Sequence, residues 1–549
     1  MTAVEKRQFD AVEVELLWRR LISLVDEAAA ALVRTSFSTL VRESYDFSCI
    51  VTNSTGESLV QATESIPSFI GTLPATVKHF LRFFPGHQLQ PGDVLITNDI
   101  WLGTGHLPDI SVAKPIFRNG VLVAFSASTA HAPDIGGKIR SPEPREVFEE
   151  GFQIPPMKLL RAGQPDESLL ELLRKNVRTP EQTVGDLWAQ VVALDLMEDR
   201  LLALMSQAEL TDLDDLAEAL HSRCESAMRA AITELPDGTY RSELKTDGLL
   251  GKPITLKMAL TVSGDTIAVD FAGTDDQVQR AINCAYCYTH AMTMYGIKIC
   301  TTPSLPNNEG AWRPISIAAP DGCIVNPAFP AAGGSRMLIG HYIPVLVFQC
   351  LGQIVPEKVM AACGSPMWGM NQSGARDNGK LYANMFFFNG GMGANFAGDG
   401  LSCLSWPSNV SSTSIELTEH IAPLRVHHKR LRPDSGGPGR HRGGLGQEVL
   451  MESLSEKPIA VSFLAERTAF PALGIDGGEA GAPGILKING QVSDTKNQYI
   501  LNCGDTVLMA TPGGGGYGDP ATRRPTAKAA DVAAGYITPD ARSNKEMRS

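Results

Sequence analysis

The sequence lacks the features that would make its function easy to read. No apolar run approaches the ~18 residues needed to cross a bilayer; the longest, around Ile343 to Leu351, stops far short, so no membrane span is expected. The opening stretch, MTAVEKRQFDAVEVELLWRR, is charged and amphipathic rather than a basic stub before an apolar core. It does not read as a signal peptide, and a cytoplasmic location is expected. There is no GxxxxGK[ST], no GxGxxG between a strand and a helix, no GxSxG elbow and no HExxH, which removes the simple nucleotide-loop, dinucleotide, hydrolase-elbow and zincin readings. Cysteine is sparse, with 10 in 549 residues, too dilute for a disulfide scaffold. Cys284 and Cys287 form one CxxC, but in an apolar run with no second pair to complete four thiolates, so buried thiols are expected. Positive charge is also short: 48 Lys+Arg against 60 Asp+Glu leave a net charge of −12. That field repels phosphate backbones and anionic lipid, and no nucleic-acid partner is expected.

What is present is a globular composition and a mixed pattern of elements, giving an α+β fold class. Apolar positions at helical spacing over 5–35 predict a long amphipathic helix. Short β-like runs follow at Phe47–Thr52, Val94–Thr97, Ile110–Phe117 and Val121–Thr129, with a helix at 71–84. Three helical segments lie between Glu167 and Leu235, the last opened by Thr211 and Asp214 as a capping box. Alternating runs over 236–271 predict strands, and helices are expected at 277–300 and 340–363. From Leu381 onward strands dominate, separated by glycine-rich stretches. The expected organisation is an α+β block at 1–160, a helical segment at 161–235, a central α+β block at 236–380, a β-rich block at 381–520, and a helix and tail at 521–549. The glycine clusters 436–444 and 513–516 fit tight β-turns, with a backbone anion nest as the alternative.

The chemistry concentrates in residues 97–137, TNDIWLGTGHLPDISVAKPIFRNGVLVAFSASTAHAPDIGG. His106 and Asp109 stand in a loop where both can turn inward. The runs 110–118 and 121–130 are joined at Asn119-Gly120, a strong hairpin signal. Asp109 and His131 are each eleven residues from Gly120, so a three-residue loop with a bulge would set them opposite each other. A two-residue loop would instead pair His131 with Pro108. Two imidazoles and a carboxylate suit Zn, Mn or Fe(II). The alternative is structural: His106 capping the loop, Asp109 in an Asx turn, His131 a core histidine. Asp99 and Asp134 could orient the imidazole N–H groups or serve ordinary turns. Asp46 opens an apolar strand, where a carboxylate is costly unless paired or metal-bound, although it also fits a turn. Arg336, His341, His290 and Trp406 are candidate pocket residues.

These residues carry a resemblance. DFSCIVTN (46–53), GDVLITNDIWLGTGHLPDISVAKPIF (92–117), TAHAPDIGG (129–137), LRPDSGGPGRHRGGLG (431–446) and TPGGGGYGDP (511–520) resemble, in order and across nearly the whole chain, the signature segments of the hydantoinase B/oxoprolinase family. The resemblance implies a hydantoinase B-like fold and one subunit of an ATP-dependent enzyme, with ATP bound by a hydantoinase A-type partner of actin-like fold. It implies a hetero-oligomer that dimerises further. In the acetone carboxylase branch a His-x-x-Asp pair and a second His 25 residues after the first hold a metal, and His106, Asp109 and His131 match both intervals. The implied function is the metal-bearing subunit of an amidohydrolase opening a hydantoin-, lactam- or oxoproline-like ring, with Asp46 or Asp99 as general base and Asp134 behind the ligands. The alternatives are a ketone carboxylase subunit and a non-catalytic scaffold. Two loops depart from the family pattern: PAFPAAGGSRMLIGHY at 327–342 and GLSCLSWPSNVSSTS at 400–414 replace Asn-rich and His/Thr-rich stretches. Both are expected to line the substrate cavity.

Overall fold

A computed structural model describes residues 7–376 and 379–538. Helix α1 (Ala11–Thr35) starts where the Asp10 side chain accepts from Val12 N and Glu13 N, and it buries Leu17, Trp18, Leu21, Val25 and Leu32. The expected start at residue 5 is too early for the described part, since 7–9 are not helical, and residues 5 and 6 lie outside the described residues. The short α2 (Thr39–Arg42) leads to β1 (Phe47–Asn53), β2 (Ser58–Gln61), α3 (Pro67–Phe83), β3 (Val94–Thr97), β4 (Asp109–Arg118), β5 (Val121–His131), β6 (Met157–Arg161) and β7 (Gln164–Pro165). These strands form one antiparallel sheet in the order β2-β1-β5-β4-β3-β6-β7.

Both faces of that sheet are covered, which explains why β4 and β5 are buried at nearly every position, their serines and threonine included. Leu73, Val77 and Phe80 of α3 pack on Ile50, Leu95 and Phe125. On the other face lie α1 and the longest helix of the helical segment, made of α4 (Glu167–Asn176), α5 (Pro180–Gln207) and α6 (Asp214–Thr233). Lys114 is tolerated in β4 because its Nζ reaches Asp195 and Glu198 of α5 at 2.5 and 2.6 Å. The expected capping box at α6 does not form. Thr211 bonds Asp212 instead, and the Asp212 side chain accepts from Asp214 N.

The hairpin register is decided by a bulge. Asn119 and Gly120 both have positive φ, the two-residue turn that asparagine and glycine favour. This turn pairs Arg118 with Val121 and Phe117 with Leu122, but the next pair is Ile116 with Ala124. Val123 is therefore an extra residue in β5, and from there on the ladder runs to Asp109 opposite His131. The two alternatives drawn from sequence are thus combined: a two-residue loop whose misregister is corrected by a bulge.

The central block holds strands β8 (Gly238–Leu249), β9 (Lys252–Ser263), β10 (Thr266–Asp270) and β11 (Ile315–Ala318), with α7 (Tyr286–Thr301), α8 (Met337–Gly340) and α9 (Ile343–Leu351). Two helices are shorter than expected. Residues 277–285 are loop because the Asn283 carboxamide bonds the backbone of Val278, Arg280 and Ala332. The second helix stops at Leu351, ahead of Pro356, whose missing N–H and ring cannot continue it. The β-rich part is two packed sheets, β13-β12-β16-β19 and β14-β15-β20-β17-β18, drawn from β12 (Trp368–Ala375), β13 (Leu381–Phe388), β14 (Leu424–Leu431), β15 (Gln447–Ser453), β16 (Ile459–Leu464), β17 (Ile485–Ile488), β18 (Gln491–Val492), β19 (Gln498–Leu501) and β20 (Thr506–Ala510). Their core contains Trp368, Phe386, Phe388, Met451, Phe463 and Met509. A short helix, Pro525–Ala533, follows the strands, and residues 539–549 of the expected tail lie outside the described residues.

The glycine clusters are neither anion nests nor simple turns. Gly437 N donates to Gly514 O, Gly514 N to Gly444 O, Gly444 N to Met392 O and Gly516 N to Glu479 O, at 2.8–3.0 Å. Separate chain segments lie side by side and consume one another's N–H groups, so none of these donors is left for an anion. A Cβ added at Gly444 would overlap the Leu401 carbonyl oxygen, whereas one at Gly398 meets nothing within 4 Å. Gly444→Ala is expected to cost ~1–3 kcal/mol or more, read as a lowered thermal midpoint, while Gly398→Ala stays near wild type. Equal melting of the two variants would contradict this account.

Candidate metal centre

Three neighbouring strands inside the sheet deliver the site to their shared end. Asp109 is the first residue of β4 and His131 the last of β5. Asp46 immediately precedes β1, and its carbonyl accepts from His131 N at 3.1 Å. His106 arrives from the loop before β4, which Asn98 clamps by donating to Leu107 O and Phe152 O and accepting from Ile154 N. Gly105 is required there: its φ is +98°, and a Cβ would stand 2.8 Å from Arg336 Cδ.

His106, Asp109 and His131 are all buried, and one ligand-type atom from each lies within 4.8 Å of the others. Asp109 Oδ2 accepts from Thr104 Oγ1 at 2.6 Å and Arg336 Nη2 at 2.8 Å. That leaves Oδ1, which stands 2.6 Å from His106 Nε2 and 2.8 Å from His131 Nδ1. His106 Nδ1 lies 3.2 Å from Gly334 O, an atom that can only accept, so Nδ1 carries the proton. Burial, reinforced by the Arg336 charge, holds His106 well below its usual range and keeps it neutral. Its Nε2 lone pair then faces a carboxylate oxygen without hydrogen-bond geometry, a buried polar atom with no partner. Burial would raise Asp109, but the Arg336 charge and the hydrogen bond with His131 oppose it, and the carboxyl is held well below the usual carboxylate range. Two acceptors crowded at 2.6 Å call for a cation between them, and the imidazole/carboxylate set fits a divalent transition ion.

The other sequence candidates divide. Asp46 joins the cluster, with Oδ2 3.8 Å from His131 Nδ1, and burial pushes its carboxyl up. Arg336 and His341 also line the cavity; Arg336 lies 4.3 Å over the Tyr288 ring, and His341 Nδ1 is buried without a partner. Met337 and His341 from loop 327–342, and Ser408 and Val410 from loop 400–414, line it as well. Asp99 is not brought in, because its Oδ1 accepts from Trp101 N and Leu102 N and fixes a turn. Asp134 pairs with Arg178 at 2.7 Å instead of bonding an imidazole; the Gly334 carbonyl takes that role for His106. Trp406 packs on Phe348 and Tyr295, and His290 against Tyr286. Burial pushes the Cys284 and Cys287 thiols up to about 12, and their hydrogen-bond partners are Thr289 and Ile100 O.

Sequence reasoning missed Thr104, Arg140, Glu150 and Asn371. Thr104 lay inside a signature segment, five residues before Asp109, where a hydroxyl could have been suspected. Nothing in GGKIRSPEP distinguishes Arg140 from a solvated arginine. Glu150 is buried and accepts from Gly333 N at 3.2 Å and Gly334 N at 2.5 Å, fixing the turn whose carbonyl meets His106.

The family model for hydantoinase B/oxoprolinase matches residues 10–520. The chain belongs to this family. The caprolactamase beta chain of Pseudomonas jessenii is 31% identical, over 94% of this chain and 92% of that one. The crystal structure of the ATP-dependent caprolactamase from the same organism superposes with a TM-score of 0.89 at 28% identity, covering 97% of this chain and 95% of that chain. The B component of a putative D-/L-hydantoinase from Pseudomonas sp. is 29% identical over 97% of this chain and 94% of its own. A nucleotide-free acetone carboxylase structure shares the fold, with a TM-score of 0.87 at 20% identity, covering 98% of this chain and 79% of that chain. No helix among the described residues is long and apolar enough to cross a membrane.

Burial pushes the Glu150 carboxyl from 4.5 to about 7, against the pull of the Gly334 and Gly333 N–H groups. The folded chain thus holds this proton more tightly than the unfolded one. Its contribution is greatest below pH ~4.5 and falls as pH rises toward ~7, by on the order of 3 kcal/mol. Subtracting a Glu150→Gln stability profile from wild type, measured by urea denaturation between pH 4.5 and 8, should recover that slope. Parallel profiles would refute it.

Proposed function

We propose that this chain is the metal-bearing subunit of an ATP-dependent amidohydrolase that opens a hydantoin-, lactam- or oxoproline-like ring. The observation that supports this reading most is the buried His106–Asp109–His131 cluster, whose Nε2 lone pair faces Oδ1 at 2.6 Å, in a chain of this family. The chain carries no nucleotide-loop signature, so ATP is assigned to a hydantoinase A-type partner subunit. An amide carbonyl is a poor electrophile, and phosphorylation of its oxygen by the partner makes the ring carbon attackable. Water then adds to that carbon, the C–N bond breaks with a proton passing to the ring nitrogen, and a second water hydrolyses the resulting acyl phosphate to the carboxylate and inorganic phosphate.

His106, Asp109 and His131 would hold a zinc, manganese or iron ion, which when bound would supply Lewis acidity and acidify water at neutral pH. Thr104 and Arg336 tie Asp109 Oδ2 and leave Oδ1 free to turn toward the imidazoles. Asp46, pushed up by burial and set beside His131, is placed to take the proton of the attacking water as general base. Asp99, committed to its turn, has no part in this scheme.

Protein purified without chelator is expected to carry about one transition-metal equivalent per chain, measured by elemental analysis. His106→Ala and His131→Ala should lose both metal and turnover while keeping the circular-dichroism spectrum, since each ligand sits at a loop or strand end. Less than about a tenth of an equivalent with turnover intact would sink the metal role and favour a scaffold.

The purified chain alone should hydrolyse neither ATP nor amide. Coexpressed with its ATPase partner, it should open a cyclic amide in an ATP-dependent, bicarbonate-independent reaction. Turnover that requires bicarbonate would replace this reading with that of a ketone carboxylase subunit, the alternative consistent with the shared acetone carboxylase fold.

A further inference from the structure

Arg140 stands where two cavities meet. It lines the space of about 40 Å³ around the metal cluster and also a neighbouring space of about 50 Å³. The second space shares Leu40, Pro133, Arg178, Asn384 and Met385 with a cleft of about 510 Å³. A guanidinium offers five N–H donors. Arg140 Nε donates to Gly334 O at 2.8 Å, but Nη1 and Nη2 meet only thioethers, Met385 Sδ at 3.0 Å and Met337 Sδ at 3.7 Å. Thioether sulfur is a weak acceptor, and among the described residues no carboxylate pairs with this side chain. Its neighbours differ: Arg336 is engaged by Asp109 and Arg178 by Asp134. Burial brings Arg140 down only to about 10, so it stays charged at neutral pH.

A second unmet donor lies beside it. Asn371 of β12 is 3% exposed, lines the same space, and its Nδ2 has no partner. In the ladder Asn371 stands between Met385 and Ser462. Both touch residue 140, Met385 through Sδ and Ser462 by donating to the Arg140 carbonyl. The carboxamide and the guanidinium therefore share one face of the sheet, next to the metal ligands. Leaving buried donors unmet is costly unless a ligand supplies acceptors.

We propose that Arg140 and Asn371 form an oxyanion subsite beside the metal cluster, binding the phosphoryl or carboxylate oxygens of the reacting molecule. Its place in a reaction rests on the proposed function, whereas the binding itself does not. Planar, paired N–H donors suit two oxygens of one anion. In the amidohydrolase scheme such an anion is available twice, as the phosphoryl group on the activated amide and as the carboxylate released by ring opening.

Calorimetric titration of the full chain with inorganic phosphate and, separately, with N-carbamoylglycine tests this without ATP or partner. Wild type should bind at least one of them. Phosphate binding points to the phosphoryl source and N-carbamoylglycine binding to the ring-opened acid. Arg140→Met should weaken binding at least tenfold. Asn371→Asp, which sets a carboxylate against the spare guanidinium donors, should abolish it while leaving the thermal midpoint at or above wild type. Elemental analysis of each variant, showing unchanged metal content, separates loss of the subsite from loss of an ion. A wild-type chain that binds neither anion, or an Arg140→Met chain that binds them as wild type does, overturns the subsite. Anion binding through Arg140 in a chain whose assembled complex opens no ring would instead overturn the amidohydrolase reading and leave the subsite standing.

Discussion

One extra residue in a strand sets the geometry of the site. The tight Asn119-Gly120 turn on its own would pair Asp109 with Ala130 and aim His131 at the opposite face of the sheet. The bulge at Val123 moves the β4–β5 ladder by one, and because side chains alternate with period two, that single step brings His131 round to Asp109. The partner strand β1 is then registered on β5 so that Asp46 follows. Covering both faces of the sheet with α1, α3 and α5 locks the shift, since slipping back would drive each side chain of β5 into the packing of the opposite face.

The second constraint is electrostatic. Asp109 has no exposure, and a lone buried carboxylate there would be untenable. Thr104 and Arg336 take one oxygen, and the two imidazoles crowd the other. The supporting shell is mainly backbone held by side chains: Glu150 grips Gly333 and Gly334, and the Gly334 carbonyl meets both His106 and Arg140. A network of this kind is rigid when fully satisfied and costly when any member is missing.

Much of the fold was legible because its signals are local. The apolar runs of β3, β4 and β5, the Asn-Gly turn and the periodicity of the helical segment each announce themselves within a dozen residues, and the His106, Asp109 and His131 convergence followed from counting outward from Gly120. The signals that failed depend on distant partners. Asn283 unwinds the expected start of α7 by bonding a carbonyl 49 residues away, at Ala332. Asp134 looked like an imidazole partner until Arg178 claimed it. Arg140, Glu150 and Asn371 gain their meaning from residues that lie far off in the chain, which no window of sequence exposes.

The interlocked glycine segments of the β-rich part bear on how such a chain can change over generations. Where one backbone lies directly against another, as at Gly391 against Gly444 and Gly443 against Gly514, there is no side chain to exchange and so no neutral drift to draw on. The segments 327–342 and 400–414 are tied in this way at Gly400, but their Met337, His341, Ser408 and Val410 place exchangeable side chains in the cavity wall. The lining of that cavity can therefore be rewritten through those side chains while the glycine scaffold stays untouched.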